Sequence, residues 1–110
     1  MVAVPNRGAR ETMGITASLS VSVLGEGTSV SDYVKAAVAA LKQQGVKHQV
    51  GPMSTAIEAR DLDGLFGAAK AAHDAVVKAG AKRIVMTLHV DSRLDKSMTL
   101  EQKVAEVKGR

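Results

Sequence analysis

Residues 14–23 read GITASLSVSV, and their alternation decides the fold. Ile15, Ala17, Leu19, Val21 and Val23 fall on one side of an extended chain, and Thr16, Ser18, Ser20 and Ser22 fall on the other. A period of two is the signature of a strand with one face on a core. Gly25 and Gly27 end it. Downstream the period changes. Val30, Val34, Ala37, Val38 and Leu41 recur at helical spacing across residues 30–44. Ser29 with Asp32 has N-cap spacing, and Gly45 stops the helix at its C′ position.

Residues 47–60 (KHQVGPMSTAIEAR) predict two short strands around a Gly51-Pro52 break. In the second, Thr55, Ile57 and Ala59 share a face opposite Ala56, Glu58 and Arg60. A second helix over 62–79 places Leu62, Leu65, Phe66, Ala69, Ala72, Val76 and Val77 on one stripe, with Asp61 as its cap and Gly80 as its stop. A last strand, 83–91, sets Ile84, Met86, Leu88 and Val90 against Val85, Thr87, His89 and Asp91. Thr99 and Gln102 have capping-box spacing for a short terminal helix with Leu100, Val104 and Val107 on one stripe.

The order β-α-β-β-α-β plus a helix is the split βαβ plan, an α+β ferredoxin-like fold with a four-stranded antiparallel sheet. Right-handed crossovers place both long helices on one sheet face. The other face then carries Thr16, Ser18, Ser20, Ser22, Glu58, Thr87, His89 and Asp91. Small hydroxyls on a central strand allow another surface to approach closely, which suits an interface or a ligand better than a merely wetted face.

The 110 residues suit one domain over residues 13–110, preceded by a loose extension, 1–12, that lacks periodicity. No cysteine is present, which excludes a disulfide scaffold and a thiolate nucleophile. No apolar run approaches the ~20 residues that span a bilayer. A cytoplasmic protein without a membrane partner is expected. The net charge of +4 is mildly basic, but Tyr33 and Phe66 are the only aromatics, so no nucleic-acid partner is expected.

Several segments carry a family resemblance. They are Leu24-Gly25 followed by Thr28-Ser29-Val30-Ser31-Asp32-Tyr33-Val34, then Gly51-Pro52-Met53-Ser54-Thr55-Ala56-Ile57-Glu58, then Gly80-Ala81-Lys82-Arg83-Ile84. Val90-Asp91-Ser92-Arg93-Leu94-Asp95-Lys96 and Glu101-Gln102-Lys103-Val104 complete the set. In this order they resemble the small thiamine-binding protein family, single-domain relatives of the YkoF-like proteins, over about residues 15–108. Val23 stands where the family often has Pro, and Ala59 where Gly usually follows the Glu. The resemblance implies a ferredoxin-like fold, a homo-oligomer (dimer or tetramer) assembled through sheets, and binding of thiamine or its pyrimidine moiety without catalysis.

Five residues are candidates for a ligand site: Glu58, Thr55, Ser20, Asp91 and Arg93. Glu58 can balance a thiazolium cation or accept from an exocyclic amine, and charge-assisted bonds are the stronger ones. The Thr55 and Ser20 hydroxyls can orient a ring. Asp91 and Arg93 flank the end of the last strand, where they bind a ligand or form a loop ion-pair cluster with Asp95 and Lys96. Met53 and Tyr33 are possible walls. His89-x-Asp91 reads as an interface pair rather than a metal site, so no metal and no cofactor are expected. Gly25-Glu26-Gly27 before a helix reads as a turn rather than an anion cradle. The competing functions are a structural or regulatory homo-oligomer without a ligand, and a small cofactor-free dimeric α+β enzyme.

Overall fold

A computed structural model describes residues 14–25, 30–97 and 99–108. The extension 1–12, the Ser29 cap and the Glu26-Gly27 turn lie outside these residues. Four strands, β1 (Ile15–Val23), β2 (Lys47–Val50), β3 (Thr55–Ala59) and β4 (Ile84–Ser92), form one sheet in the order β2-β3-β1-β4. Every neighbouring pair is antiparallel. Three helices, α1 (Val30–Gln43), α2 (Leu62–Lys78) and α3 (Leu100–Lys108), complete the ferredoxin-like α+β fold.

The alternation of β1 is realised as read. Ile15, Ala17, Leu19 and Val23 join Ile57 of β3 in one buried cluster with Ala37 and Leu41 of α1 and Leu65, Ala68, Ala72 and Val76 of α2. Both long helices therefore pack on the same sheet face. Burying a side chain such as Leu41 or Leu65 contributes roughly 1.5–3 kcal/mol. The alanines of α2 let the helices approach each other closely. Gly45 and Gly80 sit at φ +71° and +109° after α1 and α2. In this left-handed region glycine lets the chain turn back, so that Val46 N donates to Leu41 O (3.3 Å) and Ala81 N to Val76 O (3.3 Å). Asp61 caps α2, its Oδ1 accepting from Gly64 N at 2.7 Å.

The apolar stripes are wider than the buried faces. Phe66 is 52% exposed, and Leu62 and Val77 are exposed beside it on the outer flank of α2. Val34 of α1 is exposed as well, and so are Val104 and Val107 of α3, where only Leu100 is buried. On β4 only Ile84 and Leu88 are partly buried, while Met86 and Val90 are exposed. The cause is position. β4 is an edge strand, and the helices cover the sheet chiefly over β1 and β3. Conversely Thr16, on the polar face, is only 5% exposed, because that face is not open along its whole length: α3 lies over one end. Among the described residues no helix is long and apolar enough to cross a membrane.

Ile57 is fully buried between its register partners Ala17 and His48. Ile57→Ala is expected to lower stability by about 2–5 kcal/mol. Urea unfolding checks this as a lower midpoint at an unchanged slope.

Candidate functional site

The polar sheet face is organised in rows that follow from register. Lys47 lies opposite Glu58, Glu58 opposite Thr16, and Thr16 opposite Asp91, so these four residues cross the sheet in one line. α3 sits on this line. Leu100 N donates to Glu58 Oε1 at 3.0 Å, Lys47 Nζ donates to Glu101 Oε1 at 2.7 Å, and Lys103 Nζ pairs with Asp91 Oδ2. Lys47 also stands 3.4 Å from Glu58 Oε1. Its hydrogen bond to Glu101 raises the Lys47 pKa and lowers that of Glu101. The capping box forms, with Thr99 N donating to Gln102 Oε1 (2.7 Å) and Gln102 N to Thr99 Oγ1 (3.0 Å). Beyond α3 the face is small and polar, and Ser18 Oγ donates to Ser54 Oγ at 2.7 Å.

A second feature comes from unequal strand lengths. β1 pairs with β4 over all nine of its residues, but with β3 only from Ile15 to Leu19. The break at Gly51-Pro52 turns the chain away before it can pair with Val21 or Val23. Leu24 N donates to Arg83 O at 3.0 Å, continuing the register with β4. Hydrogen-bonded partners alternate along an antiparallel ladder. The even-numbered residues of β1 thus bond to β4, and the N–H and C=O of Val21 and Val23 point the other way, into the gap. Among the described residues no loop backbone bond reaches them there. A cavity of about 220 Å3 occupies this notch, bounded by β1, α1 and the loop from Val50 to Thr55. Its lining includes Leu19, Val21, Val34, Val38, Met53 and Thr55, with Ser20 and Ser54 at the polar face.

The five candidate residues are not gathered into one place. Ser20 and Thr55 share the notch, together with the expected wall Met53. Glu58 lines a larger cleft of about 650 Å3 near the start of α2, with Lys47, Arg60, Asp61 and Thr99. Asp91 borders a shallow groove beside α3 with Ser18 and His89. Arg93 clasps Asp95 through two bonds, Nε to Oδ1 at 2.8 Å and Nη2 to Oδ2 at 2.7 Å. Tyr33 packs against the core. Among the described residues no group of three or more His, Cys, Asp or Glu is arranged to hold a metal ion. The backbone of Val21, the α1 valines and the lysines that hold α3 were not among the candidates. Their roles depend on strand register, which periodicity within one segment does not reveal.

Two outcomes follow from these contacts. The Arg93 guanidinium lowers the Asp95 carboxyl from 3.8 to about 2. A depressed carboxyl favours the folded loop above its ordinary pKa, and that contribution is lost as pH falls through about 2. The side-chain NMR titration of Asp95 should centre there, and Arg93→Gln should return it to the ordinary carboxylate range. Glu58→Ala removes the acceptor of Leu100 N–H. Amide exchange over residues 100–103 should quicken about tenfold, the scale of a hydrogen bond to a charged group. Glu58→Gln keeps an acceptor oxygen and should change exchange far less.

Comparison with known proteins places this geometry in a lineage. Residues 17–108 match the family described as thiamine-binding protein. A UPF0045 protein of Methanothermobacter thermautotrophicus is 50% identical over 95 residues, covering 86% of this chain and 96% of that protein. The crystal structure of a hypothetical protein from Methanocaldococcus jannaschii superposes with a TM-score of 0.79 at 36% identity, over 89% of this chain and 99% of the other. A domain of unknown function from Bacillus cereus gives a TM-score of 0.78 at 30% identity, over 88% and 92% of the two chains. With the match running from β1 to the last turn of α3, the chain belongs to the thiamine-binding protein family.

Proposed function

We propose that this protein is a non-catalytic, cytoplasmic small-molecule binding protein that takes thiamine or its hydroxymethylpyrimidine part and works as a homo-oligomer, a dimer or tetramer. The observation that carries the reading is family membership across the whole described fold. The structure adds cavities of small-molecule size. The charged side chains along the polar face are held in exposed pairs, Lys47 with Glu101, Lys103 with Asp91 and Arg93 with Asp95, an arrangement that suits scaffolding better than proton transfer.

Two surfaces support assembly. β4 is a nine-residue edge strand with Val85, Met86 and Val90 exposed. Long free edges of this kind are usually covered, since they invite pairing with another strand. Around Ser18 and Ser20 the polar face is made of small side chains that permit close approach.

Isothermal calorimetry with thiamine and with 4-amino-5-hydroxymethyl-2-methylpyrimidine tests the ligand. Saturable binding of at least one is expected, with the compound recovered unchanged by chromatography. Heats at the level of dilution for both would overturn the ligand, and a converted product would overturn the non-catalytic reading. Light scattering at micromolar concentration tests the assembly. A mass of two or four times 11.5 kDa is expected, and a monomer would count against it.

A further inference from the structure

We propose that α3 is a charge-latched strap: it lifts off the polar sheet face as one unit while the core stays folded, and its two ion pairs to the sheet, Lys47 with Glu101 and Lys103 with Asp91, set how often it lifts. Closed, it separates two depressions. On one side lies the cleft of about 650 Å3 lined by Glu58, Ser97 and Thr99, the last being the cap of α3. On the other lies a groove of about 360 Å3 lined by Thr16, Ser18, His89 and Asp91, with Leu100 and Lys103 of α3 at its border. Lifting the strap joins the two into one polar trough along the row Lys47, Glu58, Thr16 and Asp91. The device holds whatever ligand the protein takes, and so goes beyond the thiamine-type reading.

Three observations converge on α3. First, the core does not need it. The buried cluster that joins β1 and β3 to α1 and α2 holds no residue of α3, and Leu100, the buried residue of this helix, lies outside that cluster. Elements with few buried contacts are the ones that open without global unfolding. Second, α3 is attached near one end and largely by charge. Leu100 N–H meets Glu58, Glu101 meets Lys47, and Lys103 meets Asp91. Among the described residues no side-chain bond ties 104–108 to the sheet, and Val104 and Val107 stand exposed. A nine-residue helix does not persist alone in water, so release and unwinding are one event. Third, α3 has something to cover. Thr16 faces the polar side of the sheet and is nevertheless only 5% exposed. Both ion pairs are partly open to solvent, so salt screens them, whereas it leaves the Leu100 contact in place. Ionic strength therefore acts on the latch and not on the core.

The test uses the full chain with Thr16→Cys, whose thiol is the only one present because the sequence has no cysteine. Its rate of modification by a neutral methanethiosulfonate, divided by that of a free cysteine peptide under the same conditions, reads the open fraction. From about 0.01 to about 1 M sodium chloride, as the screening length falls from ~30 to ~3 Å, this ratio should rise about tenfold. Glu101→Gln combined with Lys103→Met removes both ion pairs from the α3 side and leaves the sheet around the thiol unaltered. This double variant should react about tenfold faster at low salt and no longer respond to salt. Leu100→Ala, which removes the buried anchor, should speed the reaction at every salt concentration. Amide exchange of the chain without the thiol gives a second reading. The Lys103 N–H, bonded to Thr99 O at 3.1 Å, should follow the salt response, and the amides of β1 and β4 should not. A thiol that reacts as fast as the free peptide would mean that nothing covers Thr16, and the strap is overturned. Labelling that ignores salt in the parent chain overturns the latch. Labelling that rises only together with exchange in β1 and β4 means that α3 leaves by global unfolding, which also overturns the proposal. So does a thiol that stays slow in Leu100→Ala, since something other than α3 then covers Thr16.

Discussion

β1 is asked to satisfy two neighbours of different length. Its nine residues pair with β4 throughout and with β3 over five. Its apolar side holds both long helices, and its polar side forms the middle of the opposite face. Shortening or slipping this strand by one residue would exchange Leu19 for Ser20 in the core and reverse every contact described above. The helices can pack as they do because Ile15, Ala17 and Leu19 present a continuous apolar row, extended by Ile57 from β3. The notch exists because that row outlasts β3.

The polar side of the same strand explains how α3 is held. Its contacts to Lys47, Glu58 and Asp91 all fall on the single register line through Thr16. Exposed ion pairs contribute little each, about 0–1 kcal/mol. The buried Leu100, and the Leu100 N–H that finds Glu58, must do most of the holding. A nine-residue helix is too short to be stable alone in water. Its anchorage therefore lies at its first turn, where the capping box of Thr99 and Gln102 also acts, while Val107 at the far end is 79% exposed.

Much of the fold was legible because each element announced itself locally. The alternation of 14–23, the glycines at 45 and 80, the Asp61 cap and the Thr99–Gln102 box each depend on residues within one segment, and each appears as read. What was not legible depends on relations between segments. Val34, Phe66 and Val107 sit on correct helical stripes, but whether a stripe is covered depends on what stands opposite. β4 alternates properly and still exposes Met86 and Val90, since nothing in its own sequence marks it as an edge. Ser20, Glu58 and Asp91 were grouped by the polar sheet face, while Thr55 lies on the helix side and Arg93 beyond the end of β4. The structure does not gather the five into one depression. Ser20 and Thr55 meet at the end where β3 is missing. Glu58 and Asp91 lie at the end occupied by α3.

The shortage of aromatic side chains leaves this chain little means of stacking a ring. Proteins commonly hold heterocycles by stacking them on aromatic faces, and this chain has only Tyr33, packed on the core, and Phe66, on the outer flank of α2. Valine and methionine supply dispersion to a ring face but do little to orient it. Edge contacts orient a ring without stacking, and a strand side left without a neighbouring strand is a dense array of fixed donors and acceptors. Such an array costs no side-chain entropy to organise, because β4 already holds β1 straight on its other side. The early end of β3 thus leaves one side of β1 at Val21 and Val23 facing the cavity walled by Val34, Val38 and Met53, while β4 fixes the other side along its whole length.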